Sequence, residues 1–256
     1  MVSCALLPVR LIVMCGAEVA VFVVCATLAR PPRRLLAACA RTIVWCVGFG
    51  SNNVRFFEEE YEGTPPLVIV SNHASVIDGF ILSSVLKAPS FLAKASLRNL
   101  PIYGTILRGL GVLFVDRESR ESRRRAVAAL SQRATADPAT TPPLVIFPEG
   151  TTNNGSTTFR PFRAGAFRAG LPVRPVLIDY GPLAKDLWMC AADSEDPDSP
   201  LADLKTILRL VLSAPFHAVT VTVLPPYVPS AAERTNAKLY ADNVRALLQK
   251  RMALAA

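Results

Sequence analysis

Short apolar runs alternate with longer mixed segments from residue 51 onward, and this pattern predicts strands that alternate with helices. Most of the runs are rich in Val and Ile and are bounded by Pro, Gly or Asn, which is typical of strands. The predicted strands cover residues 67–70, 91–93, 111–115, 144–147, 173–178 and 219–224. The predicted helices cover residues 78–87, 119–135 and 231–252. This order favours an α/β fold with a mostly parallel sheet flanked by helices on both faces.

Two segments of this region have patterns of their own. Residues 219–223 alternate Val with Thr, which indicates either an edge strand or a half-exposed strand. Residues 193–200 are polar and rich in Asp and Pro, so we expect a surface loop there.

The first 50 residues contain two long apolar runs. In the first run, residues 11–29, Glu18 is the one charged position. At about 1.5 Å per residue this run reaches roughly 28 Å, which matches the hydrocarbon thickness of a bilayer. Arginines are denser after the run than before it, so its C-terminal end faces the cytosol if the run spans a membrane.

Three arrangements of these runs stay open. The first run spans the membrane, or it pairs with residues 35–49 as a helical hairpin inserted in one leaflet, or it is a signal peptide. Glu18 argues against a simple span, because a charged side chain at the bilayer centre costs about 2.5–3.5 kcal/mol. The second apolar run argues against removal of the first. We therefore predict an N-terminal apolar helical membrane anchor over residues 1–50 and a globular domain over residues 51–256.

Composition narrows the classes of partner. The chain has 256 residues and a net charge of +8, which favours anionic partners. We do not expect nucleic acid among them, because aromatic residues make up only 7% of the sequence and no zinc-finger spacing is present. The 6 cysteines form no Cys-x-x-Cys pair, and those before residue 50 have no histidine among them, so we interpret them as small buried apolar residues.

A histidine follows the predicted strand at residues 67–70, and a carboxylate lies five positions further on. The segment reads Ser-Asn-His-Ala-Ser-Val-Ile-Asp from Ser71 to Asp78, and His73 is one of only 2 histidines in the chain. Five positions is not a same-face helical spacing, so either His73 lies in a loop with Asp78 on the first helical turn, or the two do not meet. If they meet, the carboxylate fixes the tautomer of the imidazole, which can then take a proton near neutral pH.

Charged residues also follow two other predicted strands: Arg117 follows residues 111–115, and Glu149 follows residues 144–147. Because the carboxyl ends of parallel strands lie along one edge, we expect His73, Arg117 and Glu149 to converge. A guanidinium suits a phosphate oxyanion, and the backbone N–H groups of residues 150–155 suit an anion. Further positive charge is expected nearby from Arg160, Arg163, Arg168 and Arg174, whereas the cluster at residues 123–125 is interpreted as a solvated or membrane-facing helix side.

The sequence offers a base without a protein nucleophile. It has no Gly-x-Ser-x-Gly elbow and no cysteine in a catalytic context, so a covalent acyl-enzyme is not predicted. Direct attack by a substrate hydroxyl is the remaining option, and general-base help in such a step contributes about 10²–10⁴-fold.

Four segments resemble, in order, the blocks of the glycerolipid acyltransferase family. They are Asn-His-x-Ser-x-x-Asp at residues 72–78, Gly-x-x-Phe-Val-x-Arg at 111–117, Phe-Pro-Glu-Gly-Thr at 147–151 and Leu-Pro-Val at 171–173. The longer segments at residues 147–155, 162–167 and 172–176 are similar to FPEGTTTNG, FKPGAF and PVQPV of the lysophosphatidylcholine/lysophosphatidylethanolamine acyltransferase branch. The likeness covers nearly the whole chain.

The resemblance implies acyl transfer from acyl-CoA, as co-substrate, to the free hydroxyl of a lysophospholipid. It implies His73 as the catalytic base with Asp78 as its partner, and substrate binding by Asn72, Arg117, Glu149, Gly150 and Thr151. It also implies a bilayer as partner, at the cytosolic face of an internal membrane such as the endoplasmic reticulum. We expect no cofactor and no metal, and the absence of an Asp-x-Asp-x-Asp-Gly loop makes calcium control unexpected.

Two other functions remain as alternatives. A 1-acylglycerol-3-phosphate acyltransferase uses the same four blocks with a smaller headgroup. A non-catalytic membrane lipid or acyl-CoA binder is the second alternative, and the intact pair of His73 and Asp78 speaks against it. One departure from the branch bears on the headgroup: Arg174 replaces a glutamine, and the added charge favours anionic acceptors.

Overall fold

The computed structural model of the protein describes residues 2–50, 53–116, 118–134, 136–153, 158–181 and 217–255. Its strands are β1 (Val54–Glu58), β2 (Val68–Ser71), β3 (Ser90–Lys94), β4 (Leu113–Val115), β5 (Leu144–Ile146), β6 (Arg174–Asp179) and β7 (Val219–Val223). Its helices are α1 (Val2–Thr27), α2 (Arg33–Cys46), α3 (Asp78–Val85), α4 (Tyr103–Gly109), α5 (Arg120–Ala134), α6 (Ala231–Thr235) and α7 (Ala237–Ala255), with 3₁₀ helices at Ala95–Asn99 and Ala164–Phe167.

The strands form one sheet in the order β1-β7-β6-β2-β5-β3-β4. All neighbouring strands pair in parallel except β6 and β7, which are antiparallel. The strands from β6 to β4 in this order therefore share one direction, and their carboxyl ends lie along one edge of the sheet. That edge carries the loops in which we expect the site.

Alternate side chains of the central strands enter two cores, one on each face of the sheet. In β2, Ile69 belongs to the core covered by α2 and α3, whereas Val68 and Val70 belong to the core covered by α5 and α7. This architecture confirms the predicted α/β class, with a mostly parallel sheet and helices on both faces. The Val–Thr alternation of β7 matches the burial of its side chains, because its valines are buried and its threonines are half-exposed.

The first two helices form a hairpin that packs on the sheet domain. Along α1, the side chains of Leu7, Leu11 and Met14 pack against the core under α2 and α3. At the turn between the helices, the Arg33 guanidinium donates to the carbonyl oxygens of Ala88 and Leu110, at 2.9 Å each. These contacts are consistent with the predicted hairpin, whereas the division into two domains at residue 50 stays a prediction.

Of the two alternatives for residues 219–223, the half-exposed strand is the one observed, because β7 lies between β1 and β6 and its threonines are half-exposed. One expectation about an individual element needs correction. The helix predicted over residues 231–252 is two helices, because Asn236 leaves helical geometry and its side-chain oxygen accepts the N–H groups of Lys238 and Leu239 at the start of α7. The edge strand β1 and helix α4 were not predicted. The expected surface loop at residues 193–200 lies outside the described residues.

Candidate active site

His73 and Asp78 meet through a tight turn between β2 and α3. His73 lies in the loop and Asp78 is the first residue of α3, with 2.9 Å between His73 Nδ1 and Asp78 Oδ2. The same carboxylate oxygen accepts the backbone N–H groups of Ala74 and Ser75, at 2.7 and 2.9 Å. These two bonds fold the loop back over the helix start. The first of the two predicted alternatives, a loop histidine above a helix-start carboxylate, is the one observed.

The geometry leaves one imidazole nitrogen available for chemistry. Asp78 is fully buried, while the His73 side chain keeps 20% of its surface exposed. With Nδ1–H donated to the carboxylate, Nε2 is left without a partner among the described residues and can accept a proton. The His73 ring also stacks on Phe147, with ring centroids 4.1 Å apart. This stacking and the carboxylate together fix the plane of the imidazole.

Glu149 connects the loop after β2 to the loop after β5. Its carboxylate accepts the backbone N–H groups of His73 and Arg160, at 2.8 and 2.9 Å, and the side-chain amide of Asn153. The backbone N–H of Asn153 in turn donates to the carbonyl oxygen of His73 at 2.7 Å. Burial raises the pKa of Glu149. The hydrogen bonds to its carboxylate and the electrostatic effect of the nearby His73 both lower this pKa, but they offset only part of the rise. Glu149 therefore holds His73 in place by its backbone, and its role in substrate binding stays a prediction.

The other residues predicted to bind substrate fall into three groups. Asn72 is buried, and its side-chain amide exchanges hydrogen bonds with the backbone of Ile178, at 2.9 and 2.8 Å, so it joins the end of β2 to β6, and its role in substrate binding stays a prediction. Gly150 and Thr151 are half-buried beside Glu149. Arg117 lies outside the described residues.

Gly150 is required by its conformation and by a close neighbour. Its φ of +77° lies in the left-handed region of backbone conformation, which residues with a side chain rarely adopt. A Cβ at this position would lie 2.5 Å from Arg163 Nε. The glycine thus allows the Arg163 side chain to cross directly over the backbone of the loop.

One buried group at the site was not predicted from the sequence. The hydroxyl of Tyr180 donates a hydrogen bond to Oδ1 of Asp78. Tyr180 directly follows β6 at the same edge of the sheet, which is the signal that could have drawn attention to it. Its separation of 102 residues from Asp78 hides the contact from any local pattern.

Residues 53–179 match the family model described as Acyltransferase. The chain carries an acyltransferase domain. The matched range includes His73, Asp78 and Glu149 with the loops that hold them.

Named relatives extend the likeness beyond this domain. The chain is 36% identical over 186 residues to the lysophospholipid acyltransferase LPEAT1 from Arabidopsis thaliana, an alignment covering 72% of this chain and 44% of that protein. It is 33% identical over 217 residues to lysophosphatidylcholine acyltransferase 1 from Rattus norvegicus, covering 84% of this chain and 38% of that protein. The chain thus spans less than half the length of these relatives.

A solved structure shares the fold over most of the chain. The crystal structure of the 1-acyl-sn-glycerophosphate (LPA) acyltransferase PlsC from Thermotoga maritima matches with a TM-score of 0.55 and 18% sequence identity. The match covers 95% of both chains. At this identity the likeness concerns the fold alone.

A groove rich in arginine opens beside the site of the acyltransferase domain. It has a volume of about 950 Å³, and its wall includes Phe147, which stacks on His73, together with Pro148 and Gly150. None of the described residues that line it is acidic. Its six guanidinium groups come from α5, from the segment around the second 3₁₀ helix and from α6: Arg120, Arg123, Arg124, Arg163, Arg168 and Arg234.

The groove adds to the interpretation of two groups of arginines. The cluster at residues 123–125 is exposed, as expected for a solvated helix side, and Arg123 and Arg124 also line the groove, whereas Arg125 does not. Arg163 and Arg168 line it, as expected for positive charge near the site. Arg174, in contrast, forms an ion pair with Glu58 on β1, so its charge is not free to select an anionic headgroup.

Proposed function

We propose that this protein transfers an acyl group from acyl-CoA to the free hydroxyl of a lysophospholipid, with His73 as general base. The observation that carries the proposal is the contact between His73 Nδ1 and Asp78 Oδ2 at 2.9 Å, which leaves Nε2 as the proton acceptor. As the substrate oxygen attacks the thioester carbonyl, its proton passes to Nε2. The new ester C–O bond forms, the C–S bond breaks, and the imidazolium returns the proton to the CoA thiolate.

The class of acceptor is supported by the relatives. Proteins named lysophospholipid and lysophosphatidylcholine acyltransferases align with 72–84% of this chain, over a range that includes the His73 loop and the Glu149 loop. A lysophospholipid has the free hydroxyl that the proposed base needs. Such an acceptor requires no nucleophilic side chain, in keeping with the missing serine and cysteine motifs.

The nature of the donor is supported by the arginine groove. Acyl-CoA carries several phosphate groups at its nucleotide end and the thioester at the end of a long flexible arm, and arginine is the side chain best suited to phosphate. The described wall of the groove supplies six guanidinium groups and no carboxylate, and it begins at Phe147 beside the imidazole. If the phosphates of acyl-CoA bound in this groove, its thioester end could reach His73. The groove is thus the part of the site that we assign to acyl-CoA.

Attachment to a membrane is supported by the outer side of α1. Val9, Ile12, Val19 and Val23 are 49%, 72%, 60% and 49% exposed and recur at helical spacing. Residues Leu7–Thr27 are long and apolar enough to cross a bilayer, with a mean hydropathy of 2.2. However, the opposite side of α1 packs on the domain, and Tyr103 donates to Glu18 half-way along the helix. We therefore favour a hairpin inserted in one leaflet, on the cytosolic side of an internal membrane such as the endoplasmic reticulum.

An acceptor panel tests the proposed reaction. Free CoA thiol is measured with purified protein in vesicles, acyl-CoA, and lysophosphatidylcholine, lysophosphatidylethanolamine or lysophosphatidic acid. We expect thiol release that depends on a lysophospholipid and yields the matching diacyl lipid. Release with lysophosphatidic acid alone would favour the 1-acylglycerol-3-phosphate reaction. Binding of acyl-CoA without thiol release by any acceptor would overturn the proposal in favour of a lipid binder.

A further inference from the structure

Tyr180 forms a buried link between the end of β6 and the helix start that carries Asp78. The side chain of Tyr180 is nearly inaccessible, and its hydroxyl donates to Asp78 Oδ1. The ring lies next to Phe49, with centroids 5.9 Å apart, which holds it from the side of α2. The contact with Phe49 and the hydrogen bond to Asp78 together fix the position of the phenol.

The two oxygens of Asp78 have different sets of donors. Oδ2 accepts His73 Nδ1 and the backbone N–H groups of Ala74 and Ser75. Oδ1 accepts Tyr180, which is its one donor among the residues that the structure describes. Asp78 has no solvent access, so water cannot replace a missing donor. Without the phenol, Oδ1 is left as a buried acceptor without a donor among the described residues, and only the three donors of Oδ2 hold the carboxylate in its rotamer.

We infer that Tyr180 is a positioning residue that locks the carboxylate of Asp78 in the rotamer that holds His73 as its Nδ1–H tautomer. The inference rests on the proposed function, in which Nε2 must stay free to accept the proton of the substrate hydroxyl. Tyr180 touches neither substrate nor the imidazole in this role. It acts through Asp78, on which the orientation of the base depends.

The surroundings of Tyr180 favour the protonated phenol. Burial, together with the charge of Asp78 and the hydrogen bond to it, raises the pKa of Tyr180 well above its ordinary value. A neutral phenol is a donor to a carboxylate, whereas a phenolate would repel it.

The test replaces Tyr180 with phenylalanine, which keeps the ring and removes the hydroxyl. Tyr227→Phe is the matched control, because the Tyr227 hydroxyl donates to the carboxylate of Glu233 at 2.6 Å, away from His73. General-base help is worth about 10²–10⁴-fold, so loss of its orientation with the base still present should cost a part of it. We expect kcat of Tyr180→Phe to fall about tenfold with KM for both substrates unchanged, and Tyr227→Phe to keep the kcat of the wild type.

A second readout does not depend on turnover. The chain has 2 histidines, so ¹⁵N-histidine NMR of the protein in micelles, with His73→Ala to assign the signals, reports the tautomer of His73 directly. We expect the Nδ1–H form in the wild type and in Tyr227→Phe, and a mixture of both tautomers in Tyr180→Phe. An Nε2–H form in the wild type would overturn the inference even if Tyr180→Phe did not fold.

The outcomes separate this inference from the proposed function. If the wild type transfers acyl groups, His73→Ala does not, and Tyr180→Phe matches the wild type in kcat and tautomer, the inference about Tyr180 is wrong and the proposed function stands. A KM change with unchanged kcat would also contradict positioning of the base. If the wild type shows no transfer, the proposed function itself is wrong.

Discussion

Replacing Glu149 with glutamine tests whether this carboxylate holds the two loops of the site together. In the protein, one carboxylate oxygen accepts the N–H of His73 and the other accepts the N–H of Arg160. Glutamine has nearly the same shape but only one acceptor oxygen. In either orientation of the amide, one of these two backbone N–H groups must face an NH₂ group instead of an acceptor.

The structure sets the size of the expected loss. Glu149 is 3% exposed, so the N–H group that loses its acceptor has little access to water. An unsatisfied buried donor costs about 1–3 kcal/mol, and exchanging a charged for a neutral acceptor weakens the remaining bond as well. In the other direction, the variant no longer buries a charge, whose cost is evident in the raised pKa of Glu149. We therefore expect a net destabilisation of about 1–3 kcal/mol.

Thermal unfolding in detergent measures this loss. For a chain of this size, about 1 kcal/mol shifts Tm by roughly 2–4 °C, so we expect Glu149→Gln to lower Tm by about 2–12 °C. Glu121→Gln is the control: Glu121 is 79% exposed in its i,i+4 pair with Arg125, so its replacement should change Tm by less than about 2 °C. Equal Tm values for the two variants would refute the role of Glu149 as the link between the loops.

Three further predictions concern the groove, the acid stability and the membrane face. In steady-state kinetics, Arg124→Gln should raise KM for acyl-CoA about fivefold, which corresponds to a loss of about 1 kcal/mol of binding free energy, and leave KM for the lysolipid unchanged. Arg125 lies outside the groove, so Arg125→Gln should change neither KM. Although burial raises the pKa of Glu233, hydrogen bonds from Tyr227, Ser230 and Asn243 outweigh it and lower that pKa from 4.5 to about 2. The stability from Glu233 is thus present above pH 4.5 and lost as pH falls toward 2, so denaturant titrations should show a smaller acid loss in Glu233→Gln, and equal losses would contradict the assignment. Ile12→Asp places a charge on the exposed side of α1. In a flotation assay it should weaken vesicle binding about tenfold, which corresponds to about 1.4 kcal/mol of binding free energy. Unchanged flotation would exclude this face as the membrane contact.

Much of the sheet could be predicted because its strands are buried on both faces. Such strands are continuous apolar runs, as in Leu144–Ile146, and they stand out between Pro and Gly. β1 (Val54–Glu58) escaped notice because it is an edge strand with charged and exposed positions. The break at Asn236 was also missed, because the apolar positions of α7 continue the pattern of the preceding residues and the interruption depends on one capping side chain.

The site was predictable where it depends on neighbours in sequence, and less so where it depends on the fold. The meeting of His73 and Asp78 needs only a short turn closed by two backbone bonds. The roles of Asn72 and Glu149 depend on backbone groups of β6 and of the loop after β5, which no local pattern identifies. The same holds for Tyr180, whose partner is 102 residues away. The role of the His–Asp motif was therefore easier to infer than the identity of the residues that hold it in position.

The orientation of the helical hairpin illustrates a related limit. Hydropathy alone gives α1 the length and composition of a membrane span. The structure adds that one side of α1 is engaged with the domain, through packing of Leu11 and through the hydrogen bond from Tyr103 to Glu18. Both features come from residues distant in sequence, so hydropathy alone could not identify them.

The removal of the imidazole at position 73 tests the central claim most directly. Acceptor-dependent CoA release is measured for His73→Ala and for His217→Gln, which alters the other histidine of the chain. The account predicts that His73→Ala stays folded and vesicle-bound while its kcat falls by about 10²-fold or more, and that His217→Gln keeps its activity. A folded His73→Ala protein with kcat within about threefold of the wild type would contradict the account, because a base worth 10²–10⁴-fold cannot be removed at so small a loss.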